Sequence, residues 1–310
     1  MEGVRRWWQE LAGLVLPAEC GGCGSARTVL CPQCRAALDA AEPFRVRPVQ
    51  GPPGLPAVHA AARYADEVRA TLLAHKERGA LALARPLGAA LAGAVRAGVG
   101  EVGWGEGEGP RAPGDLLLVP VPSTRAAVRA RGHDPARRIA LAAAGELRRA
   151  GVPARVAAVL RQRRAVADQS GLGSRQRLDN LVGALTVVPG GARVLGGGPV
   201  VLVDDVVTTG ASLAEAARAV RAVRVAAAAQ WAGQGQSGRC EEEAKSALCG
   251  EGATAGYVGR TREDSKKLSG AEVTGVDGVS RAPDDAGGAG DVLCAAVVAA
   301  SPDSFEINRN

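Results

Sequence analysis

Two constellations in this chain carry residue types and spacings that could do chemistry. The first is Cys20-x2-Cys23, seven residues, then Cys31-x2-Cys34, which sets four thiols in two turns. Each C-x-x-C turn can present two sulfurs to one ion, and zinc favours tetrahedral thiolate sets, so a structural zinc site is predicted. Gly21, Gly22 and Gly24 are expected to supply the positive φ angles of such knuckles, with a tight hairpin through residues 27–30 closing the gap. Four protein ligands leave no open position, so no metal catalysis is expected there. A redox dithiol is the rival, but it would need one C-x-x-C and not two. Cys240, Cys249 and Cys294 lack this spacing and read as incidental thiols, with Cys294 in the core.

The second constellation begins with an apolar run, Val200-Val201-Leu202-Val203, which delivers two adjacent carboxylates, Asp204 and Asp205. Val206 and Val207 follow, and then Thr208-Thr209-Gly210-Ala211-Ser212 opens a helix. Small residues at a helix N-terminus can point backbone N–H groups and hydroxyls at one phosphate, where the helix dipole also favours negative charge. Carboxylates at the carboxyl end of a strand sit where open α/β sheets bind ligands, and they can accept hydrogen bonds from a sugar diol. A plain strand–turn–helix with an acidic turn and an N-cap is the bland alternative.

Elements that would position these groups can be read from pattern. Residues 116–119 form a short buried run ending in Pro120-Val121-Pro122, a strand and turn. Residues 136–150 read as a helix stopped by Gly151 and Pro153, residues 156–160 as a strand, and 211–223 as a strong helix. Strand alternating with helix signals a parallel α/β sheet. Earlier in the chain, residues 32–41 suggest a short helix, 45–57 a Pro- and Gly-rich linker, and 59–98 a mostly helical region; a glycine-rich loop over 98–114 follows. The text beyond Arg224 turns Gly-, Ala-, Ser- and acid-rich, and order is expected to return with the buried-strand pattern at 292–298.

Composition bounds the answer. Three hundred and ten residues suffice for one large or two small domains, and 46% apolar with 23% charged residues is ordinary globular usage. The longest N-terminal apolar stretch, residues 11–16, is far short of the roughly 20 residues that span a bilayer. It also lacks a secretory pattern, so a soluble cytoplasmic protein with no membrane partner is expected. An odd cysteine count of seven argues against a disulfide framework. The net charge of +6 favours anionic partners, although 34 of the 38 basic residues are Arg, as a GC-rich genome would produce. Only 3% of residues are aromatic, so base stacking on a nucleic acid would be sparse.

The run from Val200 to Ser212 resembles the 5-phosphoribosyl-1-pyrophosphate (PRPP) signature of type I phosphoribosyltransferases. Further motifs narrow the likeness: Val119-Pro120-Val121-Pro122-Ser123 after a strand, the turn Arg129-Ala130-Arg131-Gly132-His133-Asp134-Pro135, and Asp168-Gln169-Ser170-Gly171-Leu172 with Arg175, Arg177 and Asn180. Together with the four-cysteine ribbon, the chain resembles the ComF (GntX-like) family. The resemblance implies an α/β fold: a parallel-sheet, Rossmann-like phosphoribosyltransferase domain preceded by a small zinc ribbon. Its expected organisation is a helix and ribbon over residues 1–44 and the main domain over 58–224. A disordered insertion over 225–290 precedes a final strand and tail over 291–310.

By the same resemblance Asp204 and Asp205 contact the ribose hydroxyls, and Thr208, Thr209, Gly210, Ala211 and Ser212 cradle the 5-phosphate. Pro122, Ser123, Arg131 and Arg175 are also implied to bind PRPP, Arg175 with a polar loop over the pyrophosphate side. Lys76 is expected as a helix-end group facing the pyrophosphate, with a solvated lysine as the alternative. For Arg161, Arg163 and Arg164 a solvated basic loop and a phosphate contact stay equally open, while His59 and His75 read as structural or solvent-facing. The implied ligand is PRPP or a related phosphate, with Mg²⁺. The implied role is single-stranded DNA handling during natural competence, with a helicase and a recombination mediator as partners. Transfer of phosphoribose to an unidentified nitrogenous base is the enzymatic alternative, and an inactive copy interrupted by the insertion is a third.

Overall fold

The computed structural model describes residues 19–39, 42–48, 51–104, 114–163, 181–248 and 292–302. The chain divides into two compact units, residues 1–227 with 287–310 and residues 228–286, and everything discussed below as a site lies in the first. In that unit six strands form one sheet in the order β1-β2-β8-β7-β3-β4. They are β1 (Phe44–Val46), β2 (Val58–Arg63), β3 (Leu116–Pro120), β4 (Ala154–Val156), β7 (Val200–Val207) and β8 (Val292–Ala300). All neighbours pair in parallel except β1, which runs antiparallel to β2 at the edge. Two short strands, β5 (Leu160–Gln162) and β6 (Leu185–Val187), make a separate antiparallel pair.

Sequence dictates this layering through its near-continuous apolar runs, which suit parallel strands buried on both faces. Alternate residues go to opposite cores. Leu116, Leu118, Val201, Val203, Ala296 and Val298 enter one cluster. Leu117, Val119, Val200, Leu202, Ala295 and Val297 enter the other. The first face is covered by α1 (Pro32–Asp39), α2 (Asp66–Glu77), α3 (Ala84–Glu101) and α5 (Pro135–Arg149). The second face carries Leu213, Ala216, Ala217 and Val220 from α7 (Ala211–Leu248). The remaining helices, α4 (Arg125–Arg131) and α6 (Gly191–Leu195), are short.

Helix α5 illustrates how local chemistry sets an element. Asp134 caps it by accepting the Arg137 N–H at 3.2 Å, and Pro135 occupies the first turn, where its missing N–H costs nothing. Ala136, Ile139, Ala140, Ala143 and Leu147 fall on one buried stripe, and Gly151 at φ +79° turns the chain away. Against this stripe α3 brings Gly88 so close that an added Cβ would lie 2.8 Å from the Ala143 backbone nitrogen and against Ala142. Gly88→Ala is therefore expected to destabilise the fold by about 1–3 kcal/mol, through overpacking. A thermal melt checks this: an unchanged Tm would mean that the two helices do not meet at Gly88.

Several elements differ from the sequence expectation, each for a physical reason. Residues 59–63 are strand, not helix, because Ala60, Ala61 and Ala62 are buried between two strands rather than lying on one helical face. The supposed linker at 45–57 begins with edge strand β1, which at three residues is too short to show an alternating pattern. The strand expected over 156–160 splits into β4 and β5, and the Ala157 N–H still donates to Leu118 O at 2.9 Å. Helix α3 runs to Glu101 through Gly98, where an added Cβ would meet Cys294 Sγ at 2.8 Å, so this glycine serves close packing and not a loop. Helix α7 continues past residue 223 to Leu248, favoured by the alanines of 226–229. Residues 249–290 of the expected insertion lie outside the described residues, as do 303–310 of the tail and 1–18.

Candidate functional site

Chain order creates a crevice in this sheet. From β3 the chain moves outward to β4, then returns to β7 on the other side of β3 and proceeds to β8. Ligands of open α/β sheets bind outside the carboxyl ends of strands at such a reversal. Here the carboxyl ends are Pro120 of β3 and the Asp204-Asp205 segment of β7. A cleft of about 780 Å³ opens at that place, lined by Pro122 and Ser123 after β3, by Asp204 and Asp205 of β7, by Thr208 after it, and by Ser212.

Adjacent residues on a strand point to opposite sides, so both aspartates are held by local backbone as well as by the sheet. The Asp205 N–H donates to Asp204 Oδ1 at 2.8 Å, and the Val206 N–H donates to Asp205 Oδ1 at 2.9 Å. Pairing with β8 continues past them through Asp204↔Val297 and Val206↔Ala299, which keeps this segment extended. Lys76, near the end of α2, donates from Nζ to Asp205 Oδ2 at 2.7 Å. Burial alone would lower the Lys76 pKa, but the Asp205 charge and hydrogen bond outweigh it and raise the value. Asp204 is pushed the other way from an ordinary acid: burial and the Asp205 charge raise its pKa well above normal, with Lys76 opposing.

Arg131 reaches the rim from α4 and is clamped by Glu77 of α2, through Nε to Oε2 at 2.9 Å and Nη2 to Oε1 at 2.9 Å. Gly132 at φ +75° ends α4, and His133 Nε2 then approaches the His75 carbonyl at 3.1 Å. These contacts tie the end of α2, and so Lys76, to the turn after α4. The geometry thus gathers Lys76, Pro122, Ser123, Arg131, Asp204, Asp205, Thr208 and Ser212 around one cleft. Thr209, Gly210 and Ala211 shape the turn without lining it: Gly210 has φ +78°, and the Ala211 N–H approaches Thr209 Oγ1 at 3.4 Å. Arg175, residues 168–172, Arg177 and Asn180 lie outside the described residues. His59 and His75 are both buried, not solvent-facing.

Sequence reasoning missed four participants. Tyr64, Glu77 and Gln162 line the cleft, each from an element distant in sequence from the aspartates. Glu215 is buried in α7 and accepts the Leu185 N–H at 2.9 Å, while Arg218 bonds both its oxygens and the Leu185 carbonyl. Burial would raise the Glu215 pKa, but these partners hold it below the usual range. An acid in the first turns of a helix reads as dipole compensation, so nothing in the local sequence marks it as a clamp on β6.

The four cysteines of the N-terminal segment converge, with all four sulfurs within 4.8 Å of one another. Backbone N–H groups point at the sulfurs, Cys31 N to Cys20 Sγ at 3.3 Å and Cys34 N to Cys31 Sγ at 3.4 Å. Burial works against ionisation of Cys20, yet backbone donors of Cys23, Cys31 and Gly22 bring its pKa down to about 6; burial pushes the Cys34 thiol up. Four convergent thiol donors are a set that could hold a metal ion, and they fit a closed tetrahedral site. The glycines act differently from expectation, since only Gly24 has positive φ, at +79°. Gly21 and Gly22 instead permit close approach: a Cβ on Gly22 would lie 2.6 Å from Cys34 Sγ and 3.1 Å from Thr71 Oγ1 of α2.

Among the described residues no helix is long and apolar enough to cross a membrane. No protein-family model matches the chain, and no curated protein matches it either.

Proposed function

We propose that this protein binds Mg-PRPP, or a closely related ribose phosphate, in the cleft at the carboxyl ends of β3 and β7, as a ComF-like member of the type I phosphoribosyltransferase fold. The observation that carries the reading is the Asp204-Asp205 pair at the end of β7, with Lys76 on Asp205 and the Thr208–Ser212 turn opening α7 beside it. Carboxylates so placed accept hydrogen bonds from a vicinal diol, and a helix start with small residues receives a phosphate. Among the described residues around the cleft, three acidic groups (Glu77, Asp204, Asp205) face two cations (Lys76, Arg131). A ligand that arrives with its own divalent cation suits this balance, and Mg²⁺ would neutralise the pyrophosphate when bound.

The second reading is transfer of the phosphoribosyl group to a nitrogenous base with release of pyrophosphate. The size of the cleft favours it, being in the upper part of the range for ligand pockets and roomy enough for a second reactant. In that reaction Asp204 and Asp205 would stabilise positive charge developing on the ribose ring. We assign the four-cysteine cluster to structural zinc, which builds the ribbon against α2 and takes no part in the chemistry.

Isothermal titration calorimetry with Mg-PRPP tests the reading, with an expected Kd of about 1 µM to 1 mM, the usual range for such substrates. Ribose 5-phosphate should bind more weakly at the same site. Absence of any Mg-PRPP binding would sink the proposal. The same protein titrated with labelled single-stranded DNA, across a salt series, tests the competence role: salt-sensitive binding displaced by Mg-PRPP supports it.

A further inference from the structure

A second cavity, of about 360 Å³, adjoins the cleft. Arg125, Arg129 and Arg161 line it, the first two one turn apart on the same face of α4 and the third on β5. None of the three has an ion-pair or side-chain hydrogen-bond partner among the described residues. That distinguishes them from Arg45, Arg131, Arg149, Arg155 and Arg218, each of which is paired with a carboxylate. Among the described residues the one acid on the cavity wall is Asp134, which accepts the Arg137 N–H as the cap of α5. Among the described residues three exposed guanidinium groups thus share one concavity with one carboxylate, an excess of positive charge that favours an anion. Val128, Leu160 and Pro122 supply an apolar wall beside them.

We propose that this cavity is a binding site for a small organic acid, a flat apolar body bearing one or two carboxylate or phosphate groups. The apolar wall takes the ring, and the arginines take the acidic groups through forked hydrogen bonds. The depression is open to solvent, but its volume of about 360 Å³ suits one ring rather than a run of nucleotides, which would call for an extended groove. Pro122, Ser123 and Gln162 line both this cavity and the cleft, so the acid and the ligand of the cleft lie on two sides of one loop. Binding of the acid does not depend on what fills the cleft. Only its coupling to Mg-PRPP rests on the reading above.

The test uses the full chain and two probes, phthalate and phenyl phosphate, with dimethyl phthalate and inorganic phosphate as controls, titrated by calorimetry. One equivalent of at least one acid should bind, with both controls weaker by about tenfold or more. Arg125→Gln with Arg129→Gln should weaken the acid by about tenfold or more, leave the melting temperature unchanged, and leave Mg-PRPP affinity unaltered. Arg125→Lys with Arg129→Lys should restore part of the loss. The proposal is overturned if neither acid binds below about 10 mM, if dimethyl phthalate binds as well as phthalate, or if the glutamine variant keeps full affinity. Inorganic phosphate binding as tightly as phenyl phosphate would reduce the cavity to a counter-ion site. Loss of the acid by competition with an oligonucleotide, but not with Mg-PRPP, would make it a nucleic-acid surface instead. Failure of Mg-PRPP to bind while the acid binds would overturn the reading of the cleft alone.

Discussion

Asp204→Asn combined with Asp205→Asn is expected to weaken Mg-PRPP binding by at least about a hundredfold, since each charge-assisted hydrogen bond lost contributes about 1.5–3 kcal/mol. The single variants should behave differently. Asp205→Asn removes the partner of Lys76 and should cost about 1–3 kcal/mol of stability, toward the lower end because 34% of the Lys76 side chain is exposed to water. Asp204→Asn keeps an oxygen for the Asp205 N–H and removes a carboxyl whose pKa the fold raises. A raised folded pKa means that the native state holds its proton to higher pH than the unfolded chain does. The resulting penalty is absent below the unfolded pKa and grows as pH rises through the folded one. Asp204→Asn should therefore gain in Tm relative to the parent protein as pH is raised, with little difference in acid. Melting both proteins between about pH 4 and pH 9 checks the sign. A gap that widened toward acid would show that Asp204 is held ionised, as a stabilised carboxylate would be.

The same residues show what a sequence can and cannot declare. An apolar run followed by two acids and a small-residue turn is local chemistry, and the strand, turn and helix it implies are where they should be. Its length is not local. The apolar run ends at Val203, but β7 extends to Val207 because β8, some ninety residues later, continues to pair with it. Lys76 was readable only as a helix-end cation with two possible fates; the contact with Asp205 spans 129 positions and depends on α2 packing over the sheet. Glu77 and Glu215 were invisible for the same reason. Strand β2 reads as helix from its sequence because Ala60, Ala61 and Ala62 favour helices in isolation, while burial between β1 and β8 decides the outcome. The cysteine cluster was the most legible feature of all, since two C-x-x-C turns declare their convergence by spacing. What two of the glycines beside it do was not legible. Gly21 and Gly22 matter for what they approach, Leu83 and Cys34, whereas Gly24 takes the positive φ expected of it.

That contact surface gives the last prediction its size. Cys20, Leu30, Cys31, Cys34 and Leu38 belong to the same buried cluster as Val68 and Leu72 of α2 and Leu83 and Leu87 near the start of α3. The ribbon is therefore part of the core, and whatever holds the four sulfurs together holds α2 in place. Stripping the metal with a strong chelator, or replacing Cys31 and Cys34 by Ser, should leave a buried cluster without its closing atom. Structural sites of this kind contribute folding free energy outright, so a fall in Tm of about 10 °C or more is expected. Lys76 and Glu77 end the helix whose middle carries Thr71 against Gly22, so Mg-PRPP affinity should fall as well, although among the described residues no cysteine lines the cleft. The two effects can be separated. Zinc returned to the chelated protein should restore Tm and affinity together, whereas the Ser variant should recover neither. A chelated protein that bound no less Mg-PRPP and melted at the parent temperature would show that the sulfurs converge without a metal, and that α2 is held by apolar packing alone.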